Sequence, residues 1–308
     1  MKSVTQEVYD LHIQKKEEAR AEMKNDCERA KRDEVVVLFV DVQATKNCPC
    51  SEVGLAYYKC KLIVRNYTIY ECKTHKCMNN WIPEYACKLC ASLFTSCLVH
   101  YIEANYIGTA MEIIIWCDNC SLQNKNATLC NALLHLARLH NLTITLKYLL
   151  SGHTQMKCDT THALIEKKTR TRDIFVPEHY VEVTKAARQN PCPYDAQLLS
   201  HNFFLDYAAP EAQYYSSIRP GTKSGDPTVN EVVALTHLPQ GHIMFKLTHD
   251  SGFEQLPRKP KAVKLNHKYG ALSKNPIPID RIKYNHLIDL LDYIPQEHRE
   301  FYRNLPHQ

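Results

Sequence analysis

The sequence predicts an α/β fold, a mixed sheet with helices packed on both faces. Three observations carry this. Residues 35–40 (VVVLFV) and 111–117 (MEIIIWC) are short continuous apolar runs, the pattern of buried central strands. Residues 55–73 are rich in Tyr, Ile, Val and Thr, the composition of further strand. After that stretch, helical and strand patterns alternate. An antiparallel run followed by βα units builds a mixed sheet covered by helices.

In chain order, residues 5–32 read as a polar helix with a thin apolar stripe, an arm that needs a partner to be stable. The strand at 35–40 ends in Asp41. Asn47, Pro49 and Gly54 mark 43–54 as loop. A strand at 55–73 and another at 75–82 follow, and Pro83 opens a helix over 84–104. The strand at 111–117 ends in a second aspartate, Asp118. A helix at 121–139, a strand at 142–150 and a helix at 159–168 complete the alternation. Beyond 190, prolines and glycines mark a linker-like stretch. A hairpin over 229–249 turns at Pro239-Gln240-Gly241, and helices over 280–293 and 295–305 close the chain. This divides the sequence into an arm (1–33), a core (34–190) and an α+β extension (191–308).

The chain has 308 residues with 44% hydrophobic content, enough for a sizeable core and too much for wholesale disorder. No apolar run approaches the roughly 20 residues of a membrane-spanning helix, so a membrane partner is not expected. The N-terminus is charged and lacks an apolar signal core, which predicts an intracellular protein. Lys and Arg exceed Asp and Glu by 38 to 33, a net of +5 that permits nucleic-acid binding without demanding it.

Asp41 and Asp118 end apolar strands, where open α/β sheets place their ligand crevice. An aspartate there is costly to bury unless something pairs with it, and a divalent cation is a natural partner. Hard Mg²⁺ or Mn²⁺ takes carboxylate oxygens, and two such ions clamp the attacking and leaving oxygens of a phosphodiester. The alternative is that each aspartate caps a helix or opens a loop. A third group is His153, Asp159, His162 and Glu166. On a helix, Asp159, His162 and Glu166 are spaced i, i+3 and i+7 and share a face. Asp159 could equally be a helix cap, Glu166 a surface ion-pair partner, and His153 an ordinary loop residue.

Asn119, Gln123, Asn124 and Lys125, with Asn126, could contact a phosphate backbone, position Asp118, or cap the following helix. The basic runs Lys167, Lys168, Arg170, Arg172 and Arg258 to Lys268 could contact phosphates or form a solvated face.

The segments VVVLFVDVQ, LIVRNYTIYEC, IIIWCDNCSLQNKN and SGHTQMKCDTTHALIEKK, with the closing IPIDRIKYNHLIDLLDYIP, carry a resemblance. They resemble the RNase H-like domain, of the retroviral-integrase superfamily, in uncharacterised transposon-derived proteins of animal genomes. The resemblance implies an RNase H-like sheet: three antiparallel strands, then βα units. It implies acidic residues on the first strand, after the fourth strand and on the following helix: Asp41, Asp118, and either Asp159 or Glu166. These would bind Mg²⁺ or Mn²⁺ for phosphodiester hydrolysis or strand transfer. His153 or His162 would be an accessory ligand or proton carrier. The implied partner is nucleic acid, DNA ahead of RNA, in the nucleus if DNA is the substrate; a homo-oligomer is compatible with this. The alternative is a domesticated module, catalytically inactive, that binds nucleic acid or protein.

Fourteen cysteines are many for a chain with no secretory signal, where disulfides are not expected. Cys87-x₂-Cys90 and Cys117-x₂-Cys120 each have the spacing of half a zinc site. Cys72, His75 and Cys77 with Cys48 or Cys50 are the better zinc candidate. Buried free thiols acting as small hydrophobes are the simpler alternative.

Overall fold

The computed structural model describes residues 6–51, 58–109, 112–150, 152 and 154–308. The start of the strand expected at 55, Met111 and His153 lie outside the described residues.

Helix α1 (Gln6–Lys31) leads into strand β1 (Val36–Val42). The apolar run seeds β1, and Asp41 lies inside the strand rather than after it. Residues 46–48, expected as loop, form a short strand β2 (Lys46–Cys48), because they pair antiparallel with β3 (Leu62–Glu71). Strand β4 (Cys77–Pro83) follows. Pro83 therefore closes a strand rather than opening a helix; the turn residues 84–90 intervene, and helix α2 (Ala91–Tyr106) starts after Cys90. Strand β5 (Glu112–Cys117) leads to helix α3 (Ala127–His140). That helix starts later than expected because Asn126 caps it: its side chain accepts from Leu129 N at 2.9 Å.

Strand β6 (Thr143–Tyr148) and helix α4 (Lys157–Thr169) complete the expected alternation. Helix α5 (Glu178–Ala186) and strand β7 (Asp195–Leu198) were not legible in the sequence. The hairpin is β8 (Ala234–His237) with β9 (Ile243–Lys246), followed by β10 (Glu254–Gln255). Gly241 in its turn has φ +94° and faces the Arg138 side chain, so a Cβ there would be strained as well as crowded. Helices α6 (Arg281–Asp289) and α7 (Gln296–Arg303) close the chain.

All ten described strands belong to one mixed sheet, in the order β10-β9-β8-β6-β5-β1-β3-β4-β7 with β2 on β3. β3 pairs antiparallel with both β1 and β4. β5 and β6 run parallel to β1, joined by the helical crossovers such pairs require. β7 adds parallel to β4, and β8 antiparallel to β6, so strands from beyond residue 190 extend both edges of the sheet.

One face is closed by α2 and α3. Leu38, Val40, Ile113, Ile115, Ile144 and Leu146 pack there against Leu93, Phe94, Leu98, Leu129 and Leu133. The other face carries α1 and α4. Val37, Phe39, Ile114 and Trp116 meet Ala19, Ala30, Met156 and Cys158. A third cluster joins α5, α6 and α7 to the β4 edge, where the Trp81 and Tyr180 rings stack at 4.6 Å. No described helix is long and apolar enough to cross a membrane.

Candidate functional site

Strand register assembles the site. β1 pairs with β5 through Phe39 and Trp116, on the α1/α4 face. Two residues further along parallel strands, Asp41 and Asp118 come side by side on that same face, about 4.8 Å being the spacing of neighbouring strands. In the other direction Asp41 is opposite Thr68, and Thr68 is opposite Asn79. A polar row therefore crosses three strands on one face.

Helix α4 packs over this row. Its Cys158 thiol donates to Phe39 O at 3.4 Å. Asp159 sits in the first turn, where its Oδ2 accepts from Met156 N at 2.6 Å. It thus caps the helix, and the residue is exposed beside the polar row. Burial pushes the Asp41 carboxyl up to about 7, and the charges of Asp118 and Asp159 push the same way. Three carboxylates thus act on one crevice. Glu166 does not join them: its carboxylate pairs with Lys46, and Gln43 Nε2 reaches it at 3.4 Å.

His162 lies one turn after Asp159. Asn79 Nδ2 donates to Asp195 O at 3.3 Å, which fixes the amide so that Asn79 Oδ1 accepts from Thr68 Oγ1 at 3.0 Å. Thr68 Oγ1, its proton committed, accepts from His162 Nε2 at 2.9 Å. The Nδ1 lone pair is left facing Asp41 Oδ2 at 3.9 Å. Burial holds the imidazole down at about 4, so it is neutral near pH 7 and this approach is not an ion pair. Asn66 extends the network, donating to Gln43 Oε1 at 3.1 Å and Asn79 Oδ1 at 3.0 Å.

The residues after Asp118 hold it. Asn124 Nδ2 donates to Asp118 Oδ1 at 2.6 Å, and Cys120 N reaches the same oxygen at 3.0 Å. Asn119 Nδ2 donates to Leu149 O at 2.7 Å. Lys125 is buried: its ammonium donates to Asn119 Oδ1 at 2.7 Å and lies 4.6 Å from the centre of the Tyr148 ring. Burial pushes it down to about 8. Asn124 and Lys125 thus brace the Asp118 turn from within, and Asn119 is half-buried beside them. Gln123 is half-buried; Lys167 and Lys168 are exposed on the last turn of α4.

The donor chemistry suits a hard divalent cation. Each aspartate has one oxygen held by an N–H, and Asp41 Oδ2, Asp118 Oδ2 and Asp159 Oδ1 accept no hydrogen bond among the described residues. Asn124 Oδ1, buried and unpartnered, adds an oxygen beside Asp118. The spacing is wider than a closed site: among the described residues, no three His, Cys, Asp or Glu side chains are gathered tightly enough to hold an ion as they stand. This covers the zinc candidates as well. Cys48 contacts Tyr302 Oη at 3.5 Å, Cys77 contacts Thr161 Oγ1 at 3.7 Å, and His75 Nδ1 contacts Tyr70 Oη at 2.7 Å. These side chains point into three separate environments.

Sequence reasoning missed Gln43, Asn66, Thr68 and Asn79. The available signal was Asn66 and Thr68 at period two inside a strand otherwise rich in Ile, Val and Tyr.

Over residues 69–209 the chain is similar to a family described as a domain of unknown function, DUF7869. The matched span runs from the end of β3 through β7. It contains Asp118, Asp159, His162 and Glu166 and leaves out Asp41. No curated protein and no solved structure matches the chain.

Proposed function

We propose that this chain is an RNase H-like nuclease or transposase core of transposon origin, cleaving or joining nucleic-acid phosphodiesters, DNA ahead of RNA. The observation that carries the reading is the register that sets Asp41 and Asp118 on one face of neighbouring parallel strands, with α4 and its Asp159 packed over that face. The order β4-β3-β1-β5-β6, three antiparallel strands followed by two parallel ones, supports it. So does the distribution of the acids on the first strand, after β5 and on α4.

Asp41, Asp118 and Asp159 would hold Mg²⁺ or Mn²⁺, which when bound supplies charge neutralisation at the attacking and leaving oxygens. The chain's own contributions are distinct. Asn124 and Cys120 N fix the Asp118 carboxylate. The Thr68–Asn79 chain holds His162 in one tautomer, with a proton-accepting nitrogen turned to the crevice. The neutral imidazole there can take up a proton from an attacking water or 3′-hydroxyl.

The test is metal-dependent cleavage of labelled DNA and RNA by the parent, Asp41→Asn and Asp118→Asn proteins. The proposal expects loss of cleavage in both variants with folding intact. Cleavage equal to the parent's in both would refute it. The second reading, an inactive binding or interaction module, is favoured by one observation, the wide spacing of the carboxylates. Its signature is nucleic-acid or protein binding unaffected by Mn²⁺ and by either substitution.

A further inference from the structure

Cys87 and Cys90 lie far along the chain from the carboxylates, and no step of the proposed reaction uses them. The turn after β4 brings them together immediately before α2, a helix of 16 residues. Cys90 is its N-cap, in extended conformation (φ −154°, ψ 168°), where a side chain meets the unsatisfied N–H groups and positive dipole end of the helix. Cys87 is 3% exposed and its thiol donates to Lys88 O at 3.2 Å. Cys90 is half-buried, and its thiol lies beside that of Cys87.

Both residues line a cleft of about 380 Å³, walled by Ala86, His201, Phe204 and Leu272. Among the described residues no third metal-ligating side chain is gathered with them. A vicinal dithiol with one sulfur at a helix N-terminus and an apolar cleft beside it has the arrangement of a thiol–disulfide exchange centre.

We propose that Cys87 and Cys90 form a redox-active dithiol that exchanges with small organic disulfides entering this cleft. The Cys90 thiolate is the attacking group and Cys87 the resolving one. Cys90 sulfur attacks one sulfur of the disulfide RSSR. A Cys90–SR bond forms, the S–S bond breaks, and RS⁻ leaves to be protonated by solvent. Cys87, losing its proton, then attacks Cys90 sulfur and expels the second RS⁻. The dithiol is oxidised to a Cys87–Cys90 disulfide, and one RSSR is reduced to two RSH. The electrostatics agree. The neighbouring Cys87 thiol and the helix N-terminus at Leu93 and Ser92 pull the Cys90 thiol down to about 6, against burial and the Asp206 carboxylate, while the Cys87 thiol is pushed up.

The test uses the whole protein and glutathione disulfide as probe. After incubation, acid quench and alkylation, peptide mass mapping should find Cys87 joined to Cys90. Cys87→Ser should accumulate glutathione on Cys90, and Cys90→Ser should leave Cys87 unmodified. Iodoacetamide labelling of the reduced parent at pH 6.5 needs no variant. Cys90 should react about ten-fold faster than the exposed Cys50 and Cys60, following its thiolate fraction. Cys87 and Cys90 staying reduced while Cys50 and Cys60 take up glutathione would overturn the proposal. So would labelling of Cys90 no faster than of those two.

Discussion

The two faces of the sheet are built on opposite principles. Against α2 and α3 the strands present Leu38, Val40, Ile113, Ile115, Ile144 and Leu146, an unbroken apolar surface. Against α1 and α4 the sheet presents Asp41, Thr68, Asn79 and Lys147 among Phe39, Ile114 and Trp116. Lys147 reaches Asp26 at 2.7 Å and Glu22 at 2.5 Å across the α1 interface, and Trp116 Nε1 donates to Asp26 at 2.9 Å. One face holds the molecule together by burial. The other spends part of that stability on polar groups held in set orientations. Polar groups are kept in a core where geometry, rather than adhesion, is the need.

This contrast breaks most sharply at Lys147. Removing it as Lys147→Met leaves the buried Asp26 with only Trp116 Nε1 and the Arg29 guanidinium, 3.7 Å away, and should cost about 3 kcal/mol by urea unfolding. Asp26→Leu in the same chain should restore most of the loss; no restoration would show that the ion pair is not what the substitution breaks. On the apolar face, Leu133→Ala opens a cavity at a fully buried position and should cost about 2–5 kcal/mol. Cation affinity should not change, and a change in affinity would couple the two faces.

Asp41 gives the contrast a pH signature. Its carboxyl holds its proton to about 7 in the folded protein, against 3.8 ordinarily. Folded protein therefore binds more protons than unfolded protein between these values, and this group's contribution to stability is lost as pH rises through 7. Asp41→Asn should be more stable than the parent by a margin that grows from pH 4 to 7 and then levels. A tenfold change in proton affinity is worth about 1.4 kcal/mol; discounting for partial solvent access, the plateau is on the order of 1–3 kcal/mol. His162 has the opposite slope. Held at about 4 against 6.5, it lends stability that is lost as pH falls from 6.5 to 4. His162→Gln should remove that loss, so the parent minus variant difference rises with pH in this window. Equal pH slopes in parent and variants would contradict both assignments. The smallest expected effect, about 1 kcal/mol, is Asn124→Ala, which leaves Asp118 Oδ1 held by Cys120 N alone. It should show in cation affinity more than in unfolding.

How far the sequence could be read follows the same division. The apolar runs at 36–40 and 112–117 named their strands, because continuous burial leaves a local mark. Asp41 and Asp118 were found from their place beside those runs. Asn66, Thr68 and Asn79 were not: Asn66 and Thr68 leave a period-two mark in their strand, but only strand register shows that they meet Asn79. Strand β7, Asp-Ala-Gln-Leu, is four residues of little intrinsic preference; pairing with β4 makes it a strand. Asn124 and Lys125 look like exposed polar residues in sequence and prove to be buried braces. Their spacing to Asp118 permitted that reading as readily as a phosphate contact.

The most direct measurement is a calorimetric Mn²⁺ titration in the presence of DNA, run near pH 7 in two buffers of different ionisation heat. Binding by the parent, accompanied by proton release as the Asp41 carboxyl ionises, and lost in Asp41→Asn/Asp118→Asn, is the predicted result. No binding in the parent, or equal binding in the double variant, would contradict a carboxylate cation site.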